Sequence, residues 1–98
     1  MLRGPRKFTG ILVVLHVAPA AASAARFGIS VGRRSAPRAV DRNRIKRRAR
    51  EVFRRHPVKQ VPLDLVLTLT PRFDLSKVDA FAREVGELLE RAQARVSA

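Results

Sequence analysis

The sequence predicts an α+β domain, a two-layer α/β sandwich in which two amphipathic helices cover a small sheet of three to four strands. Three observations carry this. Apolar side chains alternate at every second position in three stretches, they recur at helical spacing in two others, and 46% of the 98 residues are hydrophobic, enough for one core. No cysteine is present, so neither a disulfide scaffold nor a cysteine-ligated zinc site supports the fold. The whole chain, residues 1–98, reads as a single domain.

The first element invites two readings. Arg3, Arg6 and Lys7 precede an uncharged stretch over 8–25, and Ala22-Ser23-Ala24 has the form of a processing site, the layout of a secretory signal peptide. As a strand, Ile11, Val13, Leu15 and Val17 alternate with Leu12, Val14 and His16, and Pro19 with the alanine run then makes a loop. The β-branched content favours the strand. A membrane span is excluded by length: the strongly apolar part covers only 11–17, against roughly 20 residues for a bilayer.

The second strand alternates Phe27, Ile29 and Val31 with Arg26, Gly28, Ser30 and Gly32, which gives one apolar face and one of small and polar residues. Pro37 ends it, and Asp41 stands where a carboxylate N-cap would open a helix over about 42–56. The apolar stripe of that helix is Ile45, Ala49, Val52 and Phe53, with Asn43, Arg47, Arg50 and Arg54 opposite. His56 would be a cation complementing the helix dipole, and Pro57 stops the helix. Residues 63–70 place Leu63, Leu65, Leu67 and Leu69 on one face and Asp64, Val66 and Thr68 on the other, a third strand. Pro71 and Asp74 turn the chain. Ser76 with Asp79 then has the spacing of a capping box for a helix over about 77–95, in which Val78, Phe81, Ala82, Val85, Leu88, Leu89 and Ala92 hold one face.

Charge is distributed unevenly. The chain carries 21 Lys and Arg against 8 Asp and Glu, a net +13, and residues 26–59 hold 13 of the basic and 2 of the acidic residues. A block of this kind points to a polyanionic partner, first nucleic acid and second an anionic membrane surface. Catalytic constellations are missing. The acidic residues after position 60 scatter over a strand, a turn and a helix surface, and the two histidines, His16 and His56, have no acidic or cysteine neighbours spaced for a metal. No catalytic residue and no metal ligand is assigned.

The specific signal lies in residues 26–51, RFGISVGRRSAPRAVDRNRIKRRARE. The ordered series Arg26, Gly28, Val31, Arg33, Arg34, Ala39, Val40, Arg42, Asn43, Arg44, Lys46, Arg47, Arg50 and Glu51 resembles the signature of the bacterial ribonuclease P protein subunit, and the downstream strand and helix resemble that family with weaker motifs. The resemblance implies a mixed sheet and a left-handed βαβ crossover, although the general rule for such crossovers is the opposite hand. It also implies a role: a large RNA subunit holds the catalytic site, and the protein binds that RNA and the 5′ leader of precursor tRNA. No cofactor is then held by side chains alone, and magnesium (Mg2+) is coordinated through the RNA subunit.

On this reading Arg33, Arg34, Arg42, Asn43, Arg44, Lys46, Arg47 and Arg50 contact RNA. A solvated helix face is the plain alternative, but such faces mix charge signs, whereas this one is nearly all basic. In the family, a single strand lies along the sheet between an N-terminal helix and the basic helix. The residues here that would line that cleft are His16, where the family often has an aromatic, with Arg26 and Ser30, which share a face. Phe8 and Phe27 flank apolar strands and read as core. The helix that the family carries before the first strand is expected to be missing from this sequence or supplied by other means. Leu12, Val14 and Val66 fall opposite the main apolar row, so a further apolar cover is expected there.

The expected function is therefore that of the non-catalytic protein subunit of an RNA-based endoribonuclease that matures the 5′ ends of tRNA. The expected partners are ribonuclease P RNA and precursor tRNA, with no membrane and no small-molecule substrate, in the cytoplasm. A structural RNA binder of the ribosomal-protein kind shares the composition and is separated from this reading only by the motif spacing. A secreted cationic polypeptide rests on the signal-like N-terminus alone.

Overall fold

Residues 4–21 and 23–97 are described by the structure, a computed structural model. Arg3 and Ala22, on which the signal-peptide reading partly rests, lie outside them. Among the described residues the chain runs β1 (Arg6–Thr9), β2 (Val13–Pro19), β3 (Arg26–Ser30), α1 (Ala39–Arg55), a 3-10 turn (Pro57–Gln60), β4 (Leu63–Leu69), a second 3-10 turn (Leu75–Lys77) and α2 (Val78–Ser97).

The strands form one mixed sheet in the order β1-β2-β4-β3. Both β1 with β2 and β2 with β4 are antiparallel, while β3 runs parallel to β4. Register puts Phe8 opposite Leu15, Leu15 opposite Leu67, and Leu67 opposite Ile29, so these side chains share a face. Both helices cover that face, α1 over β3 and α2 over β1 and β2. Pairs Arg48–Asp79 and His56–Glu90 ascend together in the two helices, so α1 and α2 run in the same direction. The core between the layers is built from Val13, Leu15, Val17, Leu65 and Leu67 below, and from Ile45, Ala49, Phe81, Val85 and Leu89 above.

Several local expectations are corrected. The strand expected over 11–17 forms as β2 but begins at Val13, Ile11 and Leu12 belonging to the turn before it, and an additional strand, β1, not anticipated, precedes Gly10 and pairs back on β2. Within that turn Ile11 is 63% exposed and Leu12 only 5%, the reverse of strict alternation, because the amides of Leu12 and Val13 both donate to the Glu84 carboxylate, each at 2.9 Å. Leu12 thereby joins the core. Of the residues expected on the far face, only Val14 and Val66 remain there.

Helix α1 begins earlier than Asp41 suggested. Arg38 is its N-cap and makes no side-chain cap bond, while Asp41 lies in the first turn, where a carboxylate still meets the positive helix end. At the other end His56 acts as an acceptor as well as a cap: its Nδ1 takes the Val58 amide at 3.0 Å and its Nε2 faces Glu90 Oε2 at 3.0 Å. A backbone amide can only donate, which fixes the hydrogen on Nε2. Ser76 is not the cap of the last helix. Asp74 caps the 3-10 turn before it, accepting from the Ser76 amide and hydroxyl, and Asp79 instead meets Arg48 at 3.1 Å.

Candidate nucleic-acid interface

The inner stripe of α1 fixes how its outer face is presented. Ile45 and Ala49 are fully buried, Val52 and Phe53 are half-buried, and the Phe53 ring stacks on Phe27 with centroids 4.7 Å apart. Each large apolar side chain removed from water contributes about 1.5–3 kcal/mol, so the helix is held against β3 and cannot roll. Its outer side consequently presents Asn43, Lys46, Arg47, Arg50 and Arg54, with the Glu51 carboxylate among them, around a shallow depression of about 410 Å³. Arg44 flanks this array on the side toward α2, beside Arg47, Arg48 and Asp79.

Most of the expected RNA contacts are free to make them. Among the described residues the side chains of Arg33, Arg34, Arg44, Lys46, Arg47 and Arg50 make no hydrogen bond and no ion pair within the chain. Asn43 is exposed and likewise makes no local backbone bond. Arg42 is different: its Nη1 donates to the carbonyls of Ala36 at 3.0 Å and Pro37 at 2.8 Å, so it braces the β3–α1 loop. Arg54 was not among the expected contacts, although its helical spacing from Arg47 and Arg50 already placed it on their face.

The second expected group lies on the opposite face of the sheet, which no described helix covers. Register places Lys7, His16, Val66 and Gly28 in one row across the four strands, and Ala18, Asp64 and Arg26 in the next. Ser30 stands opposite Thr68. His16, Arg26 and Ser30 therefore do share a surface, but it is separated from the outer face of α1 by the thickness of the sheet. A depression of about 280 Å³ opens there beside Lys7, His16, Ala18, Asp64 and Val66. His16 Nε2 lies 3.2 Å from the Thr68 hydroxyl. Arg26 grips Asp64 through two bonds of 2.8 and 3.1 Å. That bond holds the Asp64 carboxyl below its usual range and raises the Arg26 guanidinium, so the face carries no unpaired carboxylate. Lys7 was missed because β1 was not read as a strand; alternation did place Val66 on this face, where it was read as needing apolar cover rather than as part of the cleft. Phe8 and Phe27 face the helices, as expected, with Arg91 5.7 Å above the Phe8 ring.

The family model described as Ribonuclease P matches residues 1–93. The chain belongs to the ribonuclease P protein family. Curated members of that family, named ribonuclease P protein component, include one from Burkholderia mallei, 38% identical over 82 residues, covering 74% of this chain and 60% of that protein. One from Nitrosomonas europaea is 36% identical over 92 residues, covering 94% and 77%. This ribonuclease P family chain thus aligns with about 60% of the Burkholderia relative's length. The solved ribonuclease P protein of Thermotoga maritima superposes with a TM-score of 0.69 at 25% identity, covering 93% of this chain and 83% of that one. Its fold is the α+β arrangement described above. No described helix is long and apolar enough to cross a membrane.

Proposed function

We propose that this chain is the protein subunit of a ribonucleoprotein ribonuclease P in the cytoplasm. It binds the catalytic RNA along the outer face of α1 and the 5′ leader of precursor tRNA on the open face of the sheet, assisting endonucleolytic removal of the leader. The observation that supports this most is the outer face of α1, where Arg44, Lys46, Arg47 and Arg50 stand unpaired beside Asn43 while the inner stripe is locked into the core. Cations carried on an anchored helix meet phosphates at a smaller ordering cost than on a flexible chain and release counterions on contact. Arg33 and Arg34 add exposed cations in the loop before α1.

The open face suits a single strand read loosely. Its side chains are short near Ala18, Gly28 and Ser30, its centre is the half-exposed Val66, and Lys7 and His16 border it. Apolar contact with base faces together with cations along a groove is tolerant of sequence. Three carboxylates are otherwise engaged, Asp64 with Arg26, Asp79 with Arg48 and Glu84 with two amides, while Glu51 borders the basic face of α1. Among the described residues no three of His, Cys, Asp or Glu are grouped to hold a metal ion, and we assign Mg2+ to RNA phosphates. The protein on its own is expected to cleave nothing.

Reconstitution with a ribonuclease P RNA tests this. The protein should lower the Mg2+ concentration that the RNA needs to process precursor tRNA, because its cations replace some of the screening. An unchanged Mg2+ requirement, or cleavage of precursor tRNA by the purified protein without RNA, would overturn it.

A further inference from the structure

Two turns meet at the carboxyl ends of the parallel strands β3 and β4. Between the loop leading into α1 and the turn after β4 lies a depression of about 370 Å³, lined by Arg34, Ser35, Leu69, Thr70, Pro71 and Phe73. Its floor is apolar: Leu69 is half-buried, and Phe73 is buried edge-on to Phe81 with centroids 5.5 Å apart. At its rim stand the exposed Arg34, unpaired among the described residues, and the Ser35 hydroxyl; no carboxylate lines it. Open sheets gather ligands at such strand ends.

Both walls are braced from within. On one side Ala36 is fully buried, its amide donates to the Gly32 carbonyl at 3.2 Å, and Arg42 donates to the carbonyls of Ala36 and Pro37. On the other, the Thr70 hydroxyl donates to the Ile11 carbonyl at 2.5 Å, the Thr70 amide to Leu12 at 2.9 Å, and the Phe73 amide to Thr70 at 3.1 Å. The depression is thus formed before anything enters it, which removes most of the ordering cost of binding.

We infer that this depression takes one unpaired nucleotide of the RNA partner, its base on Leu69, Pro71 and the edge of Phe73 and its phosphate on Arg34, and that Arg42 is a positioning residue for it. The inference rests on RNA being the partner. A planar, largely apolar base joined to an anionic phosphate matches an apolar floor with a cationic rim, and unstacked bases are what proteins read most readily in RNA. The apolar floor disfavours a charged group at depth, and the Arg34 rim disfavours a cationic ligand.

The test uses the full chain, isotopically labelled and titrated with adenosine 5′-monophosphate and, in parallel, inorganic phosphate, with amide shifts followed by NMR. The nucleotide should move the amides of Arg34, Ser35, Thr70 and Phe73 more than phosphate does, and Arg34→Ala should weaken it by on the order of tenfold. Arg42→Gln should abolish those shifts; Arg34 is exposed, so R34A remains decisive if R42Q unfolds. Shifts confined to His16 and Val66 would overturn the site while leaving RNA binding intact. Retained groove shifts in R42Q, with a salt slope for RNA binding lowered by about one, would make Arg42 a phosphate contact and overturn its positioning role. Failure of the unmodified chain to bind ribonuclease P RNA would instead overturn the proposed function, and the nucleotide titration would still decide the groove.

Discussion

The carboxylate of Glu84 occupies the space that a side chain at Gly10 would need. A Cβ built on Gly10 would lie 2.0 Å from Glu84 Oε1 and 2.9 Å from the Val13 carbonyl oxygen, and that same Oε1 accepts the amides of Leu12 and Val13. The β1–β2 turn is therefore closed by a side chain from α2, 72 residues away from Leu12. Glu84→Ala should cost about 1–3 kcal/mol, since it leaves two amides without their acceptor, and lower Tm by about 4–8 °C per kcal/mol in a domain of this size. Gly10→Ala should lower Tm as well, by displacing that carboxylate, whereas Glu84→Gln, which keeps an acceptor oxygen, should cost less than Glu84→Ala. Thermal unfolding of the three variants checks this ordering.

For RNA binding, Arg47→Ala and Arg50→Ala should each weaken assembly with ribonuclease P RNA and reduce the salt slope by about one per lost phosphate contact. Arg91→Ala removes the same charge from the far helix. It should leave the slope unchanged and cost only about 0.5–1 kcal/mol of stability through the lost contact with the Phe8 ring. Filter binding across a salt series, with equal losses at all three positions, would show that only total charge matters.

The stacked pair of Phe27 and Phe53 ties α1 to the edge strand. Phe53→Ala should destabilise the protein by about 2–4 kcal/mol, at or below the range for a fully buried Phe because the ring is half-buried. It should also reduce RNA affinity at temperatures where the fold persists, since the outer array turns with the helix. Affinity unchanged at such a temperature, measured alongside circular dichroism, would show that the array does not depend on this anchor.

Acid sensitivity has a definite sign. Asp64 titrates below the usual carboxylate range because Arg26 hydrogen-bonds to it, and Asp74 does so because the Ser76 hydroxyl and amide donate to it. Each binds its proton more weakly when folded than when unfolded. Each therefore contributes stability fully above the ordinary carboxylate pKa of about 4, and that contribution is lost as pH falls through the lower folded value. Asp64→Asn and Asp74→Asn should flatten the fall of Tm between about pH 5 and pH 2, while a slope identical to that of the parent would assign acid unfolding to other carboxylates.

Local sequence pattern alone is enough to read the two helices, strands β2, β3 and β4, and the basic outer face of α1. Each is written in a local pattern: Ile45, Ala49, Val52 and Phe53 recur at helical spacing, Leu63 to Leu69 alternate, and Arg47 and Arg50 fall opposite the stripe. Periodicity reports short-range sterics and amphipathicity, which act within a few residues. Only the packed fold decided that β3 lies parallel beside β4, that the polar stretch before Gly10 pairs back on β2 as a hairpin, and that Leu12 turns inward while Ile11 faces water. It also decided the partners of individual polar groups. Arg42 looks in sequence like its neighbours Arg44 and Arg47, yet it turns inward to two carbonyls of the preceding loop, and Asp74 rather than Ser76 caps the start of the last helical segment. Such choices depend on which backbone donors and acceptors the packed chain leaves unpaired within reach of a side chain, and those become defined only once segments distant in sequence have met.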